Sequence, residues 1–281
     1  MTESALHSLE PELAAGYRRL SSLLEEMGRV LVAFSGGVDS TLLLAVAVQR
    51  LGENVLAVTG LSPSLAETER VEATALAARL GARHRFVETG EMALPAYVAN
   101  AADRCFHCKS DLFERLWTLA RAEGYTWVLD GTNLDDQEDV RPGREAARRL
   151  DVRSPFVEAG LRKSQIRALS RALSLPTAEK PAMACLASRI PQGVPVTLER
   201  LDRIERAEAV LATCGFPGGR VRHHEAIARL ELPVGEFTRL LDPAVRDTIV
   251  RRLKEVGYQY VVLDLEGYRL GGRPTPSTGV A

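Results

Sequence analysis

The sequence predicts an α/β protein: a doubly wound parallel sheet followed by a smaller α+β domain. Three features predict it. Strand-length apolar runs alternate with helical segments through the first half of the 281 residues. A Gly-Gly turn joins the first such run to a helix. Beyond Thr197 the pattern changes to a charged helix and short alternating runs. Strands separated by helices of ~12–15 residues imply right-handed crossovers and a parallel sheet.

Each element follows from local pattern. Leu13, Tyr17, Leu20, Leu23, Leu24 and Met27 recur at helical spacing and open the chain with a helix. The run Arg29–Phe34 reads as a buried strand, Ser35–Ser40 as a tight loop, and Thr41–Leu44 as the start of a helix. Further strands are expected at Val55–Thr59, Arg83–Val87 and Trp127–Asp130, with helices at Ala66–Leu80 and from about Ser110 to Glu123. A helix over Lys163–Leu173 and a proline-spaced loop to Pro195 complete a first domain, 1–195. The second domain, 196–270, has a helix over Leu198–Thr213, a hairpin of 219–224 with 226–232, a helix near Asp242–Val256 and a strand at Tyr258–Asp264. Residues 271–281, rich in Gly, Pro, Ser and Thr, read as a disordered tail.

Composition excludes some partners. With 46% apolar and 26% charged residues the chain is ordinary for a globular protein, and its net charge of −1 gives no electrostatic case for a nucleic-acid or membrane partner. No apolar h-region follows Met1, and the longest apolar stretch, Leu42–Val48, is far short of the ~20 residues that span a bilayer. A cytoplasmic location is expected. There the four cysteines argue for thiols, metal or catalysis before disulfides.

The loop Ser35-Gly36-Gly37-Val38-Asp39-Ser40 carries the strongest signal. Two glycines remove the Cβ atoms that would keep a phosphate off the backbone, and they permit positive φ. Loop amides and the following helix N-terminus then converge on an anion. Ser35, Ser40 and Thr41 add hydroxyls, while Asp39 is placed to hold Mg²⁺ or to cap the helix. No lysine closes the loop, so it is not a Walker-type P-loop. It resembles the pyrophosphate loop of the ATP pyrophosphatases. In a parallel sheet the ligand lies at the carboxyl ends of the strands; Gly60 and the Gly131-Thr132-Asn133 segment fall at such ends beside the loop.

Cys105 and Cys108 form a Cys-x2-Cys, and Cys185 follows in a distant loop. Three readings stand open. The trio suits a [4Fe–4S] cluster with one iron left for a small ligand such as hydrosulfide. Zinc would need His107 or water as a fourth ligand, and the pair alone would serve as a redox dithiol. Cys214, at a helix end, reads as a packing residue.

Taken together, Cys105–Lys109, the segment from Asp130-Gly131-Thr132-Asn133 through Arg141-Pro142-Gly143, Cys185–Pro191 and Arg220-Val221-Arg222 resemble the LarE family of ATP-dependent sacrificial sulfur transferases over about Leu20–Arg269. The resemblance implies an adenine nucleotide alpha hydrolase-like (PP-loop) fold. It implies that ATP and Mg²⁺ adenylylate a carboxylate of pyridinium-3,5-biscarboxylic acid mononucleotide, and that sulfur then displaces AMP, in synthesis of the nickel-pincer cofactor of lactate racemase. One form of the family surrenders the sulfur of a single cysteine. Another has three, matching Cys105, Cys108 and Cys185, and is taken to carry a [4Fe–4S] cluster fed by a sulfide donor; the present pattern favours the latter. The resemblance raises Arg220 and Arg222 as substrate-phosphate ligands, with Ser188, Arg189 and Lys109 near the same chemistry, and suggests a homo-oligomer. Asp130, Asp135 and Asp136 are weaker Mg²⁺ candidates. Adjacent His223 and His224 should face opposite sides of their strand and share no metal. The competing functions are tRNA 2-thiolation, a non-catalytic adenine-nucleotide sensor and a glutamine-fed synthetase.

Overall fold

A computed structural model describes residues 9–137, 142–181 and 184–268. The expected tail lies outside those residues, as does Arg141 of the motif segments. Two compact units make up the chain, residues 1–180 and 181–281.

The first unit is built on a four-stranded parallel sheet in the order β3-β2-β1-β4, with β1 at Val30–Ala33, β2 at Val55–Leu61, β3 at Arg83–Glu88 and β4 at Trp127–Leu129. Helices α1 (Pro11–Met27), α2 (Val38–Leu51), α3 (Glu67–Arg79), α4 (Arg104–Glu123), α5 (Pro142–Arg149) and α6 (Lys163–Ala172) surround it. Alternation along β1 divides its side chains between two layers. Val30 and Val32 join Tyr17, Leu20, Leu43, Ala73 and Ile166 in one core, whereas Leu31 joins Phe113, Leu116, Val128 and Ala146 in the other. A strand buried on both faces is apolar at every position, which is why β1 reads as a continuous run. Chain order explains the layers. β1, β2 and β3 proceed one way and put α2 and α3 on one face. The return to β4, across β1, puts α4 on the other, as right-handed crossovers require.

Two differences from the sequence reading have local causes. Helix α4 begins at Arg104, six residues ahead of Ser110, and so carries both Cys105 and Cys108 in its opening turns. Apolar periodicity starts only near Phe113; the earlier turn is anchored instead by buried Arg104, whose Nη1 donates to Asn100 Oδ1 at 2.7 Å. Helix α5 has no apolar periodicity, since its PGREAARR sequence buries only Ala146 and Ala147. It is held by Pro142 in the first turn and by Glu145, which accepts from Arg148 and Arg149 at 2.7–2.9 Å.

The second unit is a three-stranded mixed sheet under two helices, α7 (Leu198–Thr213) and α8 (Pro243–Val256). Strand β5 (Arg220–His224) pairs antiparallel with β6 (Ile227–Glu231) through a turn at Glu225, and β7 (Tyr260–Leu263) adds parallel to β6. Thr197 caps α7 by accepting from Arg200 N at 3.2 Å, and Asp242 caps α8 by accepting from Ala244 N at 3.0 Å. Leu211, Val221, Leu230, Ile249, Leu253 and Tyr258 form its core.

Candidate active site

The loop after β1 has the geometry a phosphate requires. Gly36 takes a φ of +70°, a conformation that costs residues with a Cβ about 1–2 kcal/mol. Gly37, in extended backbone, stands at the N-cap of α2 without a side-chain cap, which leaves first-turn amides to an incoming ligand. Inside the loop Ser40 Oγ receives Ser35 N at 3.3 Å and meets Ser35 Oγ at 3.1 Å. Ser35 Oγ also receives Gly37 N at 3.4 Å. The hydroxyls therefore set the turn. Thr41 is different: its side chain is fully buried and its hydroxyl finds no partner among the described residues. Val38 is buried against the sheet.

The loop after β4 meets it at the point where strand order reverses between β1 and β4, the place where open α/β sheets bind ligands. Gly131 makes the approach possible, since a Cβ there would lie 3.0 Å from Ser40 N and 3.1 Å from Asp39 Cβ. Asn133, 2% exposed, donates from Nδ2 to Asp39 Oδ1 at 3.3 Å and accepts from Asp135 N at 3.0 Å. Asp130 supports the turn by accepting from Thr132 N, Thr132 Oγ1 and Ser154 Oγ at 2.7–3.1 Å. Asp135 caps α6 by accepting from Lys163 N at 2.8 Å and pairs with Arg162; the Lys163 amide, then Arg162, hold its carboxyl below the usual range. Gly60 lies in β2, where a Cβ would crowd Leu112 Cδ1 at 2.9 Å.

Two lysines missed by sequence reading complete this end of the sheet. Lys163 Nζ pairs with Asp39 Oδ2. Lys180 Nζ donates to Gly36 O at 3.1 Å and pairs with Glu72 at 2.6 Å. Arg167, one turn along α6 from Lys163, donates to the carbonyls of Ala178 and Lys180 and fixes the segment that bears Lys180. Asp39 is thus an oxygen donor already aimed at cations, a donor type that suits Mg²⁺ shared with phosphate oxygens.

Cys105 and Cys108 stand three residues apart on α4, on one helical face at its positive end. Arg104 Nη2 approaches Cys105 Sγ at 4.0 Å. Lys109, one residue on, is exposed, with Nζ 5.2 Å from the centre of the Phe113 ring. No disulfide joins any of the four cysteines, so the thiol donors that iron–sulfur chemistry requires are present. Among the described residues no three histidine, cysteine or carboxylate side chains gather into a metal-holding group.

In the second unit Cys185 opens a single helical turn, Leu186–Arg189, organised by Arg189. That guanidinium, 3% exposed, donates to both Glu208 oxygens at 2.9 and 3.1 Å, to Cys185 O and Ser188 Oγ at 3.0 Å, and to Ala184 O. Glu208 on α7 also accepts from Val221 N at 3.1 Å and faces Arg220 at 3.8 Å. Arg222 donates to Ser188 O at 2.9 Å and pairs with Glu231 at 2.8 Å. Arg220, Arg222, Ser188 and Cys185 are therefore one neighbourhood, with Arg189 its internal brace. His223 turns into the core against Tyr258, and His224 turns out.

Residues 20–135 match the family described as asparagine synthase. An uncharacterized protein of Synechocystis sp. is 43% identical over 259 residues, covering 92% of this chain and 97% of that protein. Pyridinium-3,5-bisthiocarboxylic acid mononucleotide synthase of Lactiplantibacillus plantarum is 36% identical over 263 residues, covering 92% and 94%. An uncharacterized protein of Methanocaldococcus jannaschii is 27% identical over 241 residues, covering 86% and 91%.

Proposed function

The chain belongs to the LarE family of PP-loop sulfur transferases, and on that footing we propose that it converts a carboxylate of pyridinium-3,5-biscarboxylic acid mononucleotide to a thiocarboxylate at the expense of ATP. It is an ATP-using enzyme of the sulfur transferase type. The finer assignments rest on its own residues.

A carboxylate expels oxygen poorly until that oxygen belongs to a good leaving group. In the first step a substrate carboxylate oxygen attacks the α-phosphorus of ATP, and the bond to the β-phosphate oxygen breaks to release pyrophosphate. The Gly36–Ser40 amides and Lys163 and Lys180 meet the charge that grows on that group. Asp39 would hold Mg²⁺, which when bound neutralises phosphate charge and orients the chain of phosphates. In the second step a sulfur nucleophile attacks the acyl carbon and AMP departs with the carboxylate oxygen. Arg220 and Arg222 hold the substrate phosphate through planar guanidinium forks, Ser188 and Arg189 shape the Cys185 turn, and Lys109 pairs with the second substrate carboxylate. Cys105, Cys108 and Cys185 would be the thiolates to hold a [4Fe–4S] cluster, which when bound would supply sulfide for the second step. The protein works in the cytoplasm as a homo-oligomer on a small-molecule substrate.

The observation that carries this reading is the meeting of Asp39, Asn133 and Lys163 over the glycine turn at the sheet's switch point. The test is pyrophosphate release and product mass with ATP, Mg²⁺, sulfide and the pyridinium dicarboxylate. Release that depends on this substrate, with a product carrying sulfur in place of oxygen, is expected. Release with no acyl substrate, or with tRNA alone, overturns the assignment.

A further inference from the structure

We propose that a groove along β4 is a second ligand site, one that takes an aromatic mononucleotide. The groove is open to solvent, with a volume of about 670 Å³, within the roughly 300–1,000 Å³ span of small-ligand pockets. Both tryptophans of the chain line it, Trp117 from α4 and Trp127 from the first position of β4. Its lining runs the length of that short strand, with Arg153 bridged to Leu129 and Ser154 donating to Asp130 at 2.7 Å, so the groove adjoins the loop after β4 but includes no residue of the Gly36–Ser40 turn.

Its chemistry is specific. Trp117 Nε1 donates to Leu150 O at 2.6 Å, which fixes the indole by its edge. Three arginines and two acids line the walls. Arg153 lies 4.9 Å from the centre of the Trp127 ring and is paired with Glu158. Arg148 is paired with Glu145 at 2.8 Å. Arg121, 5.7 Å from the Trp117 ring centre, has no carboxylate partner among the described residues. A flat heterocycle suits the indoles, and one phosphate suits the unpaired guanidinium. The groove is too large for phosphate alone, and a chain of net charge −1 is a poor match for a polynucleotide.

The two tryptophans make the test direct, since intrinsic emission of the full chain reports this groove. Titration with AMP should give a saturable emission change. Arg121→Ala should weaken it at least about tenfold, the loss expected for a hydrogen bond to a charged group; Arg121→Lys, which keeps the charge, should weaken it less. Asp39→Ala, altered at the nucleotide loop, should leave the midpoint unchanged. The proposal is overturned by no saturable change at millimolar AMP or by an equal midpoint in Arg121→Ala. Inorganic phosphate acting as well as AMP overturns it too, as does loss of the signal in Asp39→Ala. None of these outcomes bears on pyrophosphate release, which tests the main reaction separately.

Discussion

Gly36 shows how one residue serves the cradle. Its φ of +70° is open to glycine and strained for alanine, so Gly36→Ala should cost about 1–2 kcal/mol and raise the KM for ATP more than it lowers the melting temperature. Steady-state kinetics beside thermal unfolding will check this. Asp39 and Lys163 form the charged pair over that turn. Asp39→Ala and Lys163→Ala should each slow pyrophosphate release about 10²-fold or more, the loss typical of a transition-state donor, while circular dichroism stays native. The loop was legible because its donors are contiguous, from Ser35 to Ser40. Lys163 and Lys180 were not. Each belongs to a different segment, and only the fold brings them to the turn; the sole hint was an Arg162-Lys163 pair at a helix start.

At the scale of elements, the Cys185 turn depends on a helix far along the chain. Arg189 is nearly buried and its main anion is Glu208 of α7. Removing one partner of such a pair leaves the other charge stranded, so Glu208→Ala should destabilise the second unit by about 3–5 kcal/mol, measurable by denaturant unfolding. Replacing Cys185 by alanine keeps the backbone carbonyl that Arg189 uses. It should stop thiocarboxylate formation and leave substrate-dependent pyrophosphate release, a split that a coupled assay will show. Helices α6, α7 and α8 were readable from apolar spacing with clear starts, such as Thr197 and Asp242. Helix α5 and the first turn of α4 were hidden because their faces are small or polar. Glu208 itself reads as one more charge in a solvated helix.

Over the whole molecule, the alternation of strands and helices gave the parallel sheet, and the sheet gave the meeting point of the loops after β1 and β4. The crossover to β4 became visible only with the strand order. The second unit carries its own pH response. Burial holds His223 below its ordinary value of 6.5, with Tyr258 Oη 3.1 Å from Nδ1. Above that pH the ring is neutral in folded and unfolded chains alike. As pH falls below 6.5, the unfolded chain binds a proton that the folded unit resists. Stability is therefore lost on acidification, by at most about 1.4 kcal/mol per pH unit for one proton. Melting curves from pH 7.5 to 5.5 should flatten in His223→Phe relative to the native chain.

The most direct measurement of the central claim is the intact mass of the chain, taken with a count of thiocarboxylate formed per chain, after anaerobic turnover with ATP, Mg²⁺ and sulfide. The account predicts several products per chain, with the polypeptide mass unchanged and all four cysteines retained. A single product per chain accompanied by loss of the elements of H₂S at Cys185 would contradict it.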